Sequence, residues 1–197
     1  MKNELRIEDI YKKEKHPWGM KPHPLLVRNL NELKKGSILD IGCGDGKDSF
    51  YLAENGFNVT ALDFSSGALN TLKERLSQAD LMNNVALIER DIPDFMKEEK
   101  KLWGNIISFV TIHFIRYSEV LKVYEWIKEH TDSGGLNIIS DFTNEGSLDT
   151  SKGFYLGRGQ LLEIYKDWEL IEYHEIPGLT KDGGKHMIAS IVARKHQ

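Results

Sequence analysis

Residues 38 to 46 read Ile38-Leu39-Asp40-Ile41-Gly42-Cys43-Gly44-Asp45-Gly46. Apolar residues with one carboxylate run straight into a loop that has glycine at every second position. Glycine has no Cβ, so such a loop turns tightly and lets a ligand approach the main chain closely. The next stretch, Lys47 to Asn55, has helical character. Strand, glycine loop and helix, in that order, form a nucleotide-type cofactor site at the carboxyl end of a parallel strand.

Working outward, the pattern alternates. Strands are predicted over Ser37 to Ile41, Asn58 to Leu62 (closed by Asp63), Val85 to Glu89, Asn105 to Ile112 and Leu136 to Phe142. Helices are predicted over Leu25 to Leu33, Lys47 to Asn55, Ser65 or Ser66 to Ala79, Tyr117 to His130 and Gln160 to Asp167. Gly56 suits a helix end, and Gly134-Gly135 are read as the break after the fourth of these helices. Arg90-Asp91-Ile92-Pro93 is read as a turn. Trp168 to Ile176 and His186 to Arg194 can pair as a hairpin around Gly183-Gly184. Strands alternating with helices imply an α/β fold: a Rossmann-like, doubly wound, mostly parallel seven-stranded sheet with helices on both faces and an antiparallel C-terminal hairpin strand. Residues 1–35 read as a helical or irregular lid segment, interrupted by His16-Pro17-Trp18-Gly19 and Lys21-Pro22-His23-Pro24. Residues 36–197 read as the cofactor-binding domain, with one domain overall.

The chain has 197 residues, a formal net charge of −4 and 40% hydrophobic residues. That composition fits one globular core and gives no general affinity for nucleic acid or an anionic membrane. The lysines Lys12, Lys13 and Lys15, interrupted by Glu14, read as a solvated helix face. A single cysteine, Cys43, permits no intramolecular disulfide and no multi-cysteine zinc site, and no metal is expected. The charged start lacks a signal-peptide core and no apolar run is long enough to span a bilayer, so the expected location is cytoplasmic.

The loop does not match a dinucleotide fingerprint, because Lys47 stands where Gly-x-Gly-x-x-Gly needs its third glycine. A phosphate-binding Gly-Lys-Ser/Thr is absent too, since Asp48 follows Lys47. Asp40 and Asp45 disfavour a pyrophosphate and favour a cation. The expected ligand is therefore a nucleoside bearing positive charge.

The motif Ile38 to Gly46 resembles the first motif of class I S-adenosylmethionine-dependent methyltransferases. The resemblance implies S-adenosyl-L-methionine as cofactor, with Gly42, Cys43 and Gly44 against its methionine part and Asp40 nearby. It implies that Asp63 accepts from both ribose hydroxyls and that Phe64 covers the adenine. It implies that Asp91 accepts from the exocyclic amine and that the Ile92 N–H meets a ring nitrogen. Phe109, ending the fourth strand, joins this group. Asp63 read without the resemblance is a helix cap, and Asp91 a turn former before Pro93. Cys43 is read as a small packing residue without redox chemistry.

Asp48 to Asp63, Gly134 to Ile139 and Ala189 to Lys195 are similar to the tellurite-resistance methyltransferase family of the TehB type. This implies methyl transfer to a small acceptor such as tellurite, selenite or a thiol-like nucleophile. The His-Arg pair that family carries after the sixth strand is missing here, where Pro177 to His186 stands instead. Lys181, Lys185 and His186 are the positive groups available there. His113, in the loop Thr111-Ile112-His113-Phe114, and His186 are candidate general bases. His16, Trp18, Phe154, Tyr155 and Arg158 are candidate acceptor contacts, the first two with His23 on the lid. Trp126 and Trp168 read as core. Two other readings stand beside this one: a non-catalytic S-adenosylmethionine-binding regulatory protein, and an NAD(P)-dependent oxidoreductase. The expected partner is a small-molecule acceptor, and the chain is expected to be a monomer or homodimer.

Overall fold

Branched apolar side chains on both faces make β1 (Ser37–Ile41) a buried central strand. Ile38 and Leu39 point to opposite faces, and each is fully buried in a different core. A computed structural model describes residues 2–116, 118–146, 155–179 and 184–197. The remaining strands are β2 (Asn58–Asp63), β3 (Val85–Glu89), β4 (Trp103–Phe109), β5 (Thr131–Gly146), β6 (Glu169–Leu179) and β7 (Lys185–Arg194). They form one sheet in the order β3-β2-β1-β4-β5-β7-β6. The first five run parallel, and β7 is inserted antiparallel to both β5 and β6. The doubly wound, mostly parallel sheet with an antiparallel C-terminal strand is as expected.

Seven helices accompany the described residues: α1 (Lys2–Lys13), α2 (Pro24–Arg28), α3 (Lys47–Glu54), α4 (Ser66–Gln78), α5 (Ile92–Glu98), α6 (Val120–Glu129) and α7 (Gln160–Ile164). Leu25, Leu26, Leu52, Leu69 and Leu72 from α2, α3 and α4 pack on one face with Ile38, Val59 and Ile107. Phe95, Val123, Trp126, Ile127 and Leu161 from α5, α6 and α7 pack on the other with Leu39, Ile106 and Ile191. Trp126 and Trp168 are core residues, 7% and 8% exposed. α1 lies against α4, outside the two cores.

Several expected boundaries move, each for a physical reason. The run to Ile112 does not stay extended: β4 ends at Phe109, Val110 takes a left-handed φ of 55°, and Ile112–Phe114 form a 3-10 turn. Asp91-Ile92-Pro93 is not a plain turn but the start of α5, with Asp91 as N-cap and proline in the first turn. α6 begins at Val120 and has ended by His130, so Gly134-Gly135 do not break it; they lie inside β5. Gly135 is required there by the sheet, because an added Cβ would lie 2.3 Å from the Gly104 carbonyl oxygen. The segment before β1 is helix α2 followed by a short 3-10 turn, Leu30–Glu32, instead of one helix to Leu33. Gly183 of the expected hairpin turn lies outside the described residues.

Candidate active site

The strand order reverses between β1 and β4, with β2 and β3 on one side and β5 on the other. In open α/β sheets the crevice at that reversal, beyond the carboxyl ends of the strands, is where ligands bind. The glycine loop sits there. Gly42, Gly44 and Gly46 all adopt positive φ, 70°, 56° and 74°. At Gly42 the space is also closed, since an added Cβ would lie 2.1 Å from Thr111 Cγ2. Thr111 Oγ1 donates to the Gly42 carbonyl at 3.3 Å, which ties the loop after β4 to the loop after β1.

Asp63 ends β2 and is buried. Its Oδ2 accepts from the Gly44 N–H at 2.8 Å and its Oδ1 from the Ser65 N–H at 2.9 Å. Burial pushes this carboxyl up while those backbone donors pull it down. The carboxylate thus organises the loop. The cap of α4 belongs instead to Ser65, whose Oγ accepts from the Ala68 N–H.

Asp40 lies beneath the loop, 2% exposed, and accepts from Ser49 Oγ at 2.6 Å. Burial and the nearby Asp48 push its pKa up to about 8. Burial likewise raises Asp48 to about 6, against the pull of the His23 backbone N–H that it accepts. Raised carboxyl values mean that ionisation opposes folding. Their contribution to stability is full below pH ~4 and is lost as pH rises through about 6 and about 8. His23 runs the other way, lowered to about 4 by burial and by Lys47 and Arg28, so its contribution is lost as pH falls below ~6.5. The variant Asp40→Asn, which keeps an acceptor for Ser49, is expected to match the native melting temperature near pH 4 and to exceed it near pH 8. Thermal melts across that range check this, and an offset independent of pH would contradict it.

The amino-terminal segment is drawn onto this loop by side chains the sequence reading did not single out. The Tyr11 hydroxyl fills the space above Gly44, where an added Cβ would lie 2.3 Å from it. Trp18 is hydrogen-bonded to Tyr11, whose hydroxyl is held protonated by burial and by Asp63 and Asp45. Glu8 accepts from Ser65 Oγ. The signal for α1 was the spacing of Ile7, Ile10 and Tyr11, which places them on one helix face.

Of the expected acceptor contacts, His16 bonds Asp45 through Nδ1 at 2.8 Å, and Trp18 stays half exposed beside Tyr11. Both therefore sit with the glycine loop. His23 stacks on Phe109 at 4.2 Å, covering one face of that ring. Phe64 is half-buried next to Asp63. The Ile92 N–H donates to Asp91 Oδ1 at 2.9 Å, so Asp91 caps α5 in this structure and that N–H is already engaged. Cys43 is buried, its thiol pushed up by burial and by Asp63 and Asp40, consistent with packing alone. Arg158 is exposed, with Nε 3.9 Å from Glu175, and Lys185 is exposed on β7. Phe154 and Lys181 lie outside the described residues.

His113 is buried, and Asp141 near the middle of β5 holds it. Asp141 accepts from His113 Nδ1 at 2.6 Å, from the His113 N–H at 3.0 Å and from the Phe142 N–H at 2.8 Å. The sequence reading missed Asp141. Its signal was a carboxylate inside an otherwise buried strand, where charged residues occur only with partners. The Phe142 ring lies 5.0 Å from the His113 ring and 5.2 Å from the His186 ring. Fold, switch-point loop and donor set fit a cationic nucleoside: the Asp63 carboxylate holds the loop at the carboxyl ends of the strands, and glycines of positive φ form its turn.

These features define a class of fold, a Rossmann-like domain with a glycine loop at the switch point of its sheet. The family model described as tellurite resistance protein TehB matches residues 5–186, and the chain belongs to that family. It is 31% identical over 166 residues to the probable S-adenosyl-L-methionine-dependent methyltransferase TehB of Haemophilus influenzae, covering 80% of this chain and 57% of that relative. The chain thus spans little more than half the length of the curated TehB relatives it matches. The crystal structure of TehB from Haemophilus influenzae superposes with a TM-score of 0.81 at 27% identity, over 96% of this chain and 67% of that one. Magnesium protoporphyrin IX methyltransferase from Synechocystis PCC 6803, with bound cofactor, shares the fold at TM-score 0.61 and 14% identity. Among the described residues no helix is long and apolar enough to cross a membrane.

Proposed function

We propose that this chain transfers a methyl group from S-adenosyl-L-methionine to a small-molecule acceptor. The observation that carries this reading is the glycine loop at the β1–β4 reversal, clamped by Asp63 through the Gly44 and Ser65 N–H groups. When bound, the cofactor supplies an electrophilic methyl carbon on a sulfonium. The chain's own part is to hold that carbon in line with the acceptor and to exclude water. Gly42, Cys43 and Gly44 line the methionine end, Asp40 beneath them supports the loop through its hydrogen bond from Ser49, and Asp63 takes the ribose hydroxyls. Phe64, Asp91, Ile92 and Phe109 border the adenine side, which requires the Asp91 carboxylate to release the Ile92 N–H.

Residues 1–35 act as a lid in this reading. The support is the set of contacts that α1 and the following turn make with the loop: Glu8 to Ser65, Tyr11 over Gly44, His16 to Asp45, and the His23 backbone to Asp48. Tyr11→Ala is expected to weaken cofactor binding about tenfold with secondary structure unchanged, a loss the size of one net hydrogen bond of ~1 kcal/mol or a little more. Calorimetric titration reads this directly; unchanged affinity would remove the lid.

For the acceptor, the family's name supports tellurite, and the resemblance supports selenite and thiol-like nucleophiles as well. The formal net charge of −4 supports a small-molecule partner over nucleic acid or an anionic surface. Calorimetry with S-adenosyl-L-methionine and with NAD(P)H is the first test: binding of the nicotinamide cofactor alone would overturn the reading. Incubation with methyl-labelled cofactor and tellurite, selenite, thiols and phenols is the second. Binding without transfer to any of them would leave a non-catalytic cofactor-binding protein.

A further inference from the structure

We infer that the acceptor is a flat aromatic molecule carrying O–H or S–H, and that His113 takes its proton during transfer. This rests on the methyltransferase reading above. It begins with what surrounds His113. The imidazole is walled by rings: Phe114 at 4.0 Å, Phe142 at 5.0 Å and Tyr155 at 5.8 Å, the last nearly parallel to it at 20°. Phe114 is nonetheless 43% exposed, so an apolar face lies open beside a buried histidine. A cluster of rings with one of them exposed suits contact with a planar apolar ligand.

The polar groups in this cluster hold the imidazole in place. A carboxylate only accepts, so the Nδ1 that contacts Asp141 carries the hydrogen, and in the neutral ring Nε2 carries the lone pair. Asp141 takes three donors in all, two of them from His113, so the ring is fixed in both orientation and tautomer. Holding a base this way is what a positioned carboxylate does for a catalytic imidazole. The cluster also adjoins the glycine loop: His113 follows by two residues Thr111, whose hydroxyl bonds Gly42.

His186 provides a second, independent observation. It is 4% exposed, and its Nδ1 is buried with no hydrogen-bond partner among the described residues. An unpaired buried polar atom is costly, and a ligand polar group would relieve it. The His113 and His186 imidazoles both lie about 5 Å from the Phe142 ring. A ring bearing one acidic group and one further polar substituent can meet both. An inorganic oxyanion finds less here. It arrives already ionised and has no use for a base, and the cations Arg158 and Lys185 are both solvent-exposed.

The acceptor's O–H or S–H bond breaks and its proton passes to His113 Nε2, leaving the electron pair on the heteroatom. That pair forms the new bond to the methyl carbon. The carbon–sulfur bond breaks and its electrons stay on sulfur, which becomes a neutral thioether. The imidazolium later returns its proton to solvent.

The test uses the full chain with methyl-labelled cofactor and matched acceptors: thiophenol and catechol against tellurite and selenite. Label is expected in the aryl acceptors. His113→Gln is expected to lower kcat with catechol by about 10²–10⁴-fold, the range of a positioned general base, and to lower it less with thiophenol, which is largely ionised near neutral pH. It is also expected to flatten the acid limb of the pH–rate profile, while S-adenosylhomocysteine binding by calorimetry stays unchanged. Asp141→Asn is expected to lower kcat and leave cofactor affinity intact. Transfer to tellurite or selenite but to neither aryl acceptor overturns the inference, as does a His113→Gln enzyme with the native rate and pH profile. Absence of any cofactor binding would instead sink the methyltransferase reading itself, so the two failures are distinguishable.

Discussion

Asp63→Ala is expected to lower cofactor affinity by about 100-fold or more. A hydrogen bond to a charged group contributes ~1.5–3 kcal/mol, and two ribose hydroxyls would donate to this carboxylate. About 1.4 kcal/mol is a factor of ten, so losing both reaches that range. The same change removes the acceptor of the Gly44 and Ser65 N–H groups, both buried, which loosens the loop before any ligand arrives. Asp63→Asn separates the two effects only in part, because its amide must point N–H at one of the two backbone donors. Titration calorimetry with S-adenosyl-L-methionine, with circular dichroism to verify folding, checks the prediction. An alanine variant binding within threefold of the native protein would show that Asp63 serves the loop alone.

A loss of about 3–5 kcal/mol of stability is expected from Asn105→Leu, far from the chemistry. Asn105 is fully buried on β4. Its Oδ1 accepts from the backbone of Lys34 at 3.0 Å and Leu136 at 3.2 Å, and its Nδ2 donates to the Lys34 carbonyl at 2.8 Å. One side chain thus ties the chain entering β1 to β4 and to β5. Leucine has a similar volume but orphans three backbone groups, at ~1–3 kcal/mol each with partial relief. For a chain of this size that corresponds to a fall of roughly 10 °C in Tm. Differential scanning calorimetry measures it, with Asn70→Leu on the exposed face of α4 as the control. A shift under about 2 °C would mean that water replaces the amide.

The local signals carried a large part of this molecule. β1 and β3 fall on the residues read from the sequence, because short apolar runs bounded by polar or glycine residues leave little freedom in their limits. α5 was hidden by a competing reading: proline after Asp91 looked like a turn, although proline is well suited to a first helical turn. The end of β4 was hidden by β-branched residues. Val110 bears one and still adopts φ 55°, because its N–H is held by Ser140 at 2.7 Å while Thr111 must reach Gly42. A left-handed valine is strained, and strain of that kind is kept at places where surrounding contacts over-determine the backbone.

The amino-acid sequence by itself determined the sheet, the position of the glycine loop and the preference for a cationic nucleoside. Those follow from neighbours: apolar period, glycine spacing, and carboxylates within a few residues of the turn. Tertiary structure alone decided what meets the loop from a distance. Tyr11 reaches Gly44 from 33 positions away along the chain, and Asp141 reaches His113 across 28. A side chain's partner across a sheet depends on strand order and register, which no local pattern encodes. That is why the cofactor half of the crevice was legible early, and the acceptor half, built from β4, β5 and β7, emerged only with the fold.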